Sequence, residues 1–303
     1  MSVVGPVVVA ILSHRDPAQV RRLVDRVLEG DNTVALVHHD PRGEPLDLEA
    51  GERTILLDNA EPADWGRMGL ALAMLRCLQE ARTRIPDMSW FLLVSGQDYP
   101  ARPMRDIEAE LAQTDTNAFL RHFWVTPSAV PGEDHWVTRC RSRYLRRIRL
   151  PGSHRSIPWP RRAPFDRGFG LVIGDMWVNL DACAVDHVLA QARRRPEVIR
   201  YLARCSIPDE ALIPTLVLND SDHLLIENDR RRHIAWTQGA RSPQVLTGEA
   251  FDDIEASNAF FVRKVEPNQS ESLMDELDRT ATPRDPSTGP KPSTTPGTAS
   301  RAR

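Results

Sequence analysis

The sequence predicts an α/β fold in which a largely parallel sheet is covered by helices. Apolar runs rich in β-branched residues, typical of buried parallel strands, alternate with segments whose apolar residues recur at helical spacing. The first six elements follow the order β-α-β-β-α-β, which indicates a parallel sheet with helical connections. A chain of 303 residues is long enough to bury one large core.

The first half of the chain carries this pattern most clearly. "VVVAILS" (7–13) predicts a first buried strand. In the next segment Asp16 can cap a helix, Pro17 suits its first turn and Gly30 suits the position just past its end. The other predicted elements of this half are strands at 33–40, 53–58 and 89–95, a long apolar helix at 65–84 and a helix near 104–113.

The second half is patterned less regularly. A strand is predicted at 117–124, and the segment from about 126 to 170 is rich in Arg, Pro and Gly without a clear period. Further on, "MWVNLDACAVDHVLAQARRRP" predicts a short strand and a helix, "IPDEALIPTLVLND" a helix start, and "HIAW" and "AFFVRK" short strands. The apolar pattern is lost after that, so 268–303 is predicted to be a disordered tail.

Composition argues against several classes of protein. The net charge of −3 gives no overall attraction to nucleic acid or anionic lipid. The N-terminal apolar run is too short to span a membrane. None of the four cysteines has Cys-x-x-Cys spacing, which argues against a zinc site. We therefore expect a cytoplasmic protein with free thiols, no nucleic-acid partner and no stable membrane insertion.

The stretch "WFLLVSGQDYP" (90–100) indicates where a ligand binds. Five apolar residues are followed by Ser95, Gly96, Gln97 and Asp98, as at the carboxyl end of a buried parallel strand. Open α/β sheets bind their ligands at that edge. The glycine fingerprints of dinucleotide and P-loop sites are absent from the sequence.

Eight stretches, in one order, resemble the Leloir glycosyltransferases of family 14. This family comprises the core-2 and I-branching β-1,6-N-acetylglucosaminyltransferases, the protein xylosyltransferases and their bacterial relatives. The stretches, which span roughly residues 7 to 265, are "ILSHRDPAQVRRLV", "VALVHHD", "DWGRMGLALAMLRCL", "FLLVSGQDYP", "GDMWVNLD", "IPDEALIPTLV", "HIAW" and "FFVRK". The resemblance implies one GT-A domain at 1–267, with a nucleotide-sugar-binding half at 1–115 and an acceptor and catalytic half at 116–267.

The resemblance also implies the reaction. A sugar, GlcNAc or xylose, would pass from a UDP-sugar to an acceptor hydroxyl with inversion and without a further cofactor. Many nucleotide-sugar enzymes hold the diphosphate through an Asp-x-Asp metal site, whereas the characterised branching enzymes work without metal and use two basic side chains. Lys264 and Arg241 match those side chains, and Arg263 replaces one of them if the register shifts by one residue. Charged donors form strong hydrogen bonds with phosphate oxygens.

Glu210 in "CSIPDEAL" matches the family's catalytic base. In-line displacement needs one group to take the acceptor proton and others to stabilise charge on the departing diphosphate. A partly desolvated carboxylate suits the first role, because its pKa rises toward working pH. On the residues alone, Asp209 and Glu210 more readily complement a helix dipole. With the resemblance, Glu210 is the predicted base and Asp209 is structural.

The other site residues implied by the resemblance follow strand ends or precede helices. The expected donor-binding residues are Ser13, His14, His38, Asp40, Trp65, Gly66 and Asp98, and the expected acceptor-binding residues are Trp177 and Trp236. Each His can instead be an ordinary loop residue and each Trp a core residue. His38 and His39 point to opposite faces of a strand, which argues against a metal ion shared between them.

Two alternative functions and one charged stretch stay open. Asp220-Ser221-Asp222 would suit a metal-dependent GT-A transferase, although the preceding helix places both acids in an exit loop. A sugar-binding protein that lost catalysis on the same scaffold is the other alternative. From Arg139 to Arg162 there are nine Arg and no acid, which is compatible with solvated surface, a nucleic-acid patch or, as we favour, a clamp for an anionic acceptor. No nucleic-acid-binding motif accompanies the stretch.

Overall fold

Strands and helices alternate along the chain in the computed structural model, which describes residues 5–58, 60–126, 128, 135–150, 152–153, 155–160, 162–166, 168–237, 239–240 and 242–281. The strands are β1 (Val7–Ser13), β2 (Thr33–His39), β3 (Thr54–Leu56), β4 (Trp90–Ser95), β5 (Asp98–Pro100), β6 (Ala118–Val125), β7 (Arg147–Arg149), β8 (Ser156–Pro158), β9 (Leu171–Asp181), β10 (Ile226–Glu227), β11 (Arg232–Ile234) and β12 (Phe261–Arg263). The helices are α1 (Pro17–Val27), α2 (Met68–Arg84), α3 (Met104–Leu111), α4 (His135–Arg141), α5 (Ala182–Arg194), α6 (Pro196–Leu202), α7 (Leu212–Leu218), α8 (Phe251–Glu255) and α9 (Glu271–Ala281).

Seven strands form the main sheet in the order β10-β6-β9-β4-β1-β2-β3. Neighbouring strands are parallel except at β9, which runs antiparallel to both β4 and β6. The predicted mixed α/β class, with a mostly parallel sheet flanked by helices as in GT-A glycosyltransferases, is confirmed. The carboxyl ends of β1, β2 and β4 coincide, since Leu12 pairs with both His38 and Ser95.

A core lies on each face of this sheet. All seven residues of β1 are buried. Val8, Ala10 and Leu12 join a cluster with α2 and α5, while Val9 and Ile11 join a second cluster with α1 and α3. Since successive strand residues point to opposite faces, both faces can be buried only by a continuous apolar run. This explains why "VVVAILS" lacks polar alternation.

A second sheet brings the late chain to the carboxyl edge of the first. Its strand order is β11-β12-β5, with Arg263 of β12 paired to Asp98 of β5 and to Ile234 of β11. Only Gly96 and Gln97 separate β4 from β5, so this small sheet lies where β1, β2 and β4 end. Residues more than 160 positions apart in sequence therefore become neighbours at this edge.

The predicted start of the tail at residue 268 is wrong, because α9 belongs to the folded domain. Leu273, Met274 and Leu277 are buried in the core cluster that includes α1. Buried Arg26 of α1 donates to the backbone oxygen of Leu277 at 3.1 Å. Three apolar positions in eleven residues give too brief a periodic signal to distinguish this helix from polar chain. Residues 282–303 of the predicted tail lie outside the described residues.

The segment predicted to lack pattern also contains structure. It includes α4, a π-helical turn at Ser142–Arg146 and the β7-β8 hairpin. The predicted short strand near 176 is the eleven-residue β9, which begins five residues earlier at Leu171. A Cβ at Gly174 of β9 would lie only 2.0 Å from the backbone oxygen of Arg121, so the close approach of β6 requires glycine. No described helix is long and apolar enough to cross a bilayer.

Candidate active site

A cavity opens at the carboxyl ends of β1, β2 and β4. Six of the residues expected in the site line it: Ser13, His14, His38, Asp40, Trp65 and Trp177. Its other walls include Arg15, Ser95, Gln97, Met176 and Arg263. The fold thus brings together residues from the first strand, the late strand β12 and the bend of β9.

Asp40 and His38 give one wall a fixed anion and a neutral imidazole. The Asp40 carboxylate accepts hydrogen bonds from Arg42 Nη2 and the Ala63 backbone N–H, each at 2.8 Å. The Arg42 guanidinium holds the pKa of Asp40 well below its usual range. Burial lowers the pKa of His38, and its Nε2 has no hydrogen-bond partner among the described residues. Arg42 and the Ala63 N–H together occupy both oxygens of Asp40, so within the described chain His38 Nε2 is the unpaired polar atom that these two side chains offer to a ligand.

His39 faces away from His38, as predicted for adjacent strand residues. Its Nδ1 lies 2.9 Å from Ser13 Oγ, and its Nε2 lies 2.7 Å from the backbone oxygen of Glu44. These contacts occupy both ring nitrogens and hold the loop after β2 against the end of β1.

Gly66 connects the cavity wall to the segment that carries Glu210. Its neighbour Trp65 is 69% exposed, so the indole is open to a ligand. Gly66 has a φ of +69°, and its backbone oxygen accepts from Ile207 N at 3.0 Å. Ile207 also has a positive φ, 57°, which is costly for a β-branched residue. The Tyr144 hydroxyl donates to Ile207 O at 2.5 Å, so this conformation is held from two sides.

Glu210 stands at the end of a 3₁₀ turn, Pro208–Glu210, beside the bend of β9. Its carboxylate accepts from Arg143 Nη1 at 2.8 Å and is 28% exposed. Burial raises the pKa of Glu210, the Arg143 guanidinium opposes that rise, and the nearby Asp175 carboxylate adds to it. Glu210 does not line the cavity itself, but its carboxylate interacts electrostatically with Asp175 of β9, and the next two residues, Met176 and Trp177, do line it. Its carboxylate has the surroundings that a general base requires.

Asp209 is oriented differently from its neighbour. It is 3% exposed, and its Oδ1 has no hydrogen-bond partner among the described residues. Burial, with a smaller contribution from the charge of Glu210, raises the pKa of Asp209 to about 7. Of the two acids in "PDE", only Glu210 reaches solvent to a useful extent.

Asp98 lies behind the cavity and not in it. Its carboxylate is fully buried and accepts from Arg232 Nη1 at 2.7 Å, from Ser95 N at 2.7 Å and from Arg263 Nη1 at 3.1 Å. Both oxygens are thus hydrogen-bonded within the protein, and a donor contact by Asp98 stays a prediction. The side chain that reaches the cavity is Arg263, which Asp98 positions. The Ser-Gly-x-Asp spacing correctly predicts that Asp98 follows the end of β4, but its burial brings the carboxylate against Arg232 and Arg263.

Trp177, expected to bind the acceptor, is a buried wall residue of the cavity, and its acceptor contact stays a prediction. It is 5% exposed, and the guanidinium groups of Arg232 and Arg263 lie 4.6 and 4.5 Å from its ring centroid. Little of the ring is open to a sugar. Trp236, by contrast, is 55% exposed and follows β11, but it does not line the cavity. An acceptor contact by Trp236 stays a prediction.

Lys264 directly follows Arg263 at the end of β12. Its backbone oxygen accepts from Leu246 N at 2.8 Å, and its ammonium group pairs with Glu266. The side chain is 17% exposed, so its charge lies in a partly dry environment next to the cavity. Arg241, expected beside it, lies outside the described residues.

Asp220 and Asp222 lie at the opposite end of α7 from Glu210. Asp220 accepts from Gln191 Nε2 at 2.9 Å, and neither acid lines the cavity. Within the part of the chain that the structure describes, no three His, Cys, Asp or Glu side chains are grouped to hold a metal ion. The geometry gives no support to a metal held by these two aspartates for a donor in this cavity.

The Arg-rich stretch divides into structural and exposed side chains. Arg143 pairs with Glu210, Arg141 donates to Thr126 O at 2.6 Å, and Arg147 donates to Ser156 Oγ at 3.0 Å. The exposed members are Arg139, Arg146, Arg155 and Arg162. These four are the described arginines of the stretch that are exposed, so the clamp stays a prediction for a smaller set.

Sequence reasoning missed the partner of Glu210. Arg143 lies 67 positions away, in a segment without a regular period, and nothing local marks it. Arg15 was also missed as a wall residue, although it follows the predicted Ser13 and His14 directly. The polar residues after β1 were the signal that would have found it.

Comparisons with known proteins identify a family for this chain. A family described as Core-2/I-Branching enzyme matches residues 13–258. No curated protein matches the chain. Among solved structures, a glycosyltransferase involved in the glycosylation of the major capsid of PBCV-1 is similar, with 14% identity and a TM-score of 0.36, over 90% of this chain and 100% of that one.

Proposed function

The chain belongs to the core-2/I-branching enzyme family of glycosyltransferases, and we propose that it transfers GlcNAc or xylose from a UDP-sugar to an acceptor hydroxyl with inversion. The observation that carries this proposal is Glu210, a partly buried carboxylate of raised pKa beside a cavity at the carboxyl edge of the sheet. That edge is where α/β sheets bind nucleotides.

Each group has a role in the proposed displacement. The nucleoside lies against Asp40 and His38, and the diphosphate lies near Arg263 and Lys264. Glu210 accepts the proton of the attacking hydroxyl while the bond from the anomeric carbon to the diphosphate breaks. The two cations stabilise the charge that develops on the leaving group, as a preorganised electrostatic site does. No metal ion is needed for that charge in this proposal.

The acceptor side is less specified. The exposed arginines near the π-helical turn favour an anionic acceptor, because the same turn carries Arg143, the partner of Glu210. Exposed Trp236 can stack on a sugar ring.

The proposal is tested by measuring UDP release from a panel of UDP-sugars, with and without candidate acceptors and with and without EDTA. We expect one UDP-sugar to be turned over, EDTA to leave the rate unchanged, and NMR to show the inverted anomer as the first product. Loss of activity in EDTA with recovery in Mn²⁺ would contradict metal-independent transfer. Donor binding without turnover under any of these conditions would favour a non-catalytic sugar-binding protein.

A further inference from the structure

Glu266 forms ion pairs with two cationic side chains, Arg15 and Lys264, at one side of the cavity. Its Oε1 accepts from Arg15 Nη2 at 3.0 Å and from Gln97 Nε2 at 3.1 Å, and the same oxygen pairs with the Lys264 ammonium group. The hydrogen bonds and charge of Lys264 and Arg15 lower the pKa of Glu266, so the carboxylate is ionised at neutral pH. One anionic oxygen thus has three donors, two of them charged.

An oxygen of a phosphate group could accept hydrogen bonds from the same three donors. Phosphate oxygens and carboxylate oxygens accept charge-assisted hydrogen bonds of similar length from Arg and Lys. Arg15 and Gln97 line the cavity beside Arg263. Glu266 is 22% exposed and does not line the cavity itself. The Glu266 carboxylate therefore contacts Arg15 and Lys264 from the side away from the cavity, whereas a ligand would contact them from the cavity.

The backbone fixes the donors independently of the Glu266 carboxylate. Val265 N donates to Gln97 O at 3.0 Å, and Glu266 N donates to Ser270 Oγ at 3.0 Å. Leu246 N donates to Lys264 O on the other side. The wall would keep its shape if the Glu266 side chain changed rotamer, because no backbone bond of the wall depends on that carboxylate.

We propose that Glu266 is an internal counter-anion that holds Arg15 and Lys264 in the donor-free protein and yields them to the donor diphosphate, which makes Arg15 a further diphosphate-binding residue. The inference rests on the proposed function, since it requires a nucleoside diphosphate in this cavity. Without a counter-anion the two cations would repel each other in a partly dry site. A diphosphate carries more negative charge than one carboxylate and can accept from both cations at once.

The test is calorimetric binding of UDP and of uridine to the wild type and to variants. Glu266→Gln removes the competing charge while keeping the shape of the side chain, so it should bind UDP more tightly by roughly tenfold, the factor that one charged hydrogen bond represents. Glu266→Asp keeps the charge but shortens the reach, and it should also tighten UDP binding. Arg15→Gln should weaken UDP binding by roughly tenfold. Uridine binding should be the same in all of them, because uridine has no phosphate.

Asp186→Asn is the matched control. It makes the same change in net charge by removing a carboxylate that pairs with Arg82 on the surface, away from the cavity, and it should leave UDP binding unchanged. Thermal unfolding should show that each variant is folded. If the wild type binds UDP and Glu266→Gln binds it equally or more weakly, this inference is wrong and the proposed function stands. A wild type that does not bind UDP would overturn both.

Discussion

Two effects, burial and a neighbouring positive charge, act on the pKa of Glu210 in opposite directions. Burial raises the pKa of the carboxyl group, and the Arg143 guanidinium at 2.8 Å works against that rise. A general base is active when deprotonated, so turnover is lost as pH falls through the pKa of the base. The arginine therefore keeps the base available at lower pH than burial alone would allow.

Replacing Arg143 with Gln should move the acidic limb of the kcat profile to higher pH. The change removes the charge that favours the carboxylate, so the pKa of Glu210 rises further and the base is protonated over more of the range. The measurement is kcat against pH, with Arg279→Gln, an exposed arginine on α9, as control. An acidic limb that stays in place in the Arg143 variant would contradict this assignment of the base.

At the level of the elements, α9 completes the core beneath α1. Buried Leu273 packs in the cluster with α1 and β12, and the Tyr99 hydroxyl donates to Asp278 at 2.7 Å. Leu273→Ala should lower the free energy of unfolding by about 2–5 kcal/mol, as expected for a cavity left by a buried leucine. Arg279→Ala on the exposed face of α9 should change it by no more than about 0.5 kcal/mol. Denaturant unfolding measures both, and equal stabilities would show that α9 is not part of the cooperative core.

The elements that could be predicted from sequence are those whose own residues show a long apolar run or a helical apolar pattern. β1, β2 and β4 are continuous apolar runs because both of their faces are buried, and α2 has a long apolar pattern. β9 was underestimated because Gly174 and Asp175 interrupt its apolar run at the bend beside the site. Each strand of the β7-β8 hairpin has only three residues, so the alternation in "RIR" and "SIP" is too short to detect.

The site was predictable where a strand end supplies the residue, and not where a distant segment supplies its partner. The polar residues after β1 and β2 do line the cavity. The burial of Asp98 by Arg232, a residue 134 positions away, could not be read from "SGQDYP". Tertiary contacts of this kind decide whether a carboxylate meets the ligand or orients an arginine that does.

In the whole molecule, the carboxyl edge of one sheet collects residues from nearly the full length of the chain. One wall of the cavity comes from β1 and β2, Arg263 comes from β12, and the segment with Glu210 is joined to the cavity wall through the Gly66–Ile207 hydrogen bond. The family match from residue 13 to 258 covers most of these parts. We therefore propose Glu210 as the base of a transfer reaction beside this cavity.

Turnover of Glu210→Gln measures that claim most directly. Glu197→Gln is the matched control, because Glu197 also lies in a helical turn that a proline opens and is 3.7 Å from an arginine, but it belongs to α6 and not to the turn that contacts β9. The account predicts that kcat of Glu210→Gln falls by roughly 10² to 10⁴ with donor affinity unchanged, while Glu197→Gln keeps wild-type turnover. Near-normal turnover of Glu210→Gln, or an equal loss in both variants, would contradict it.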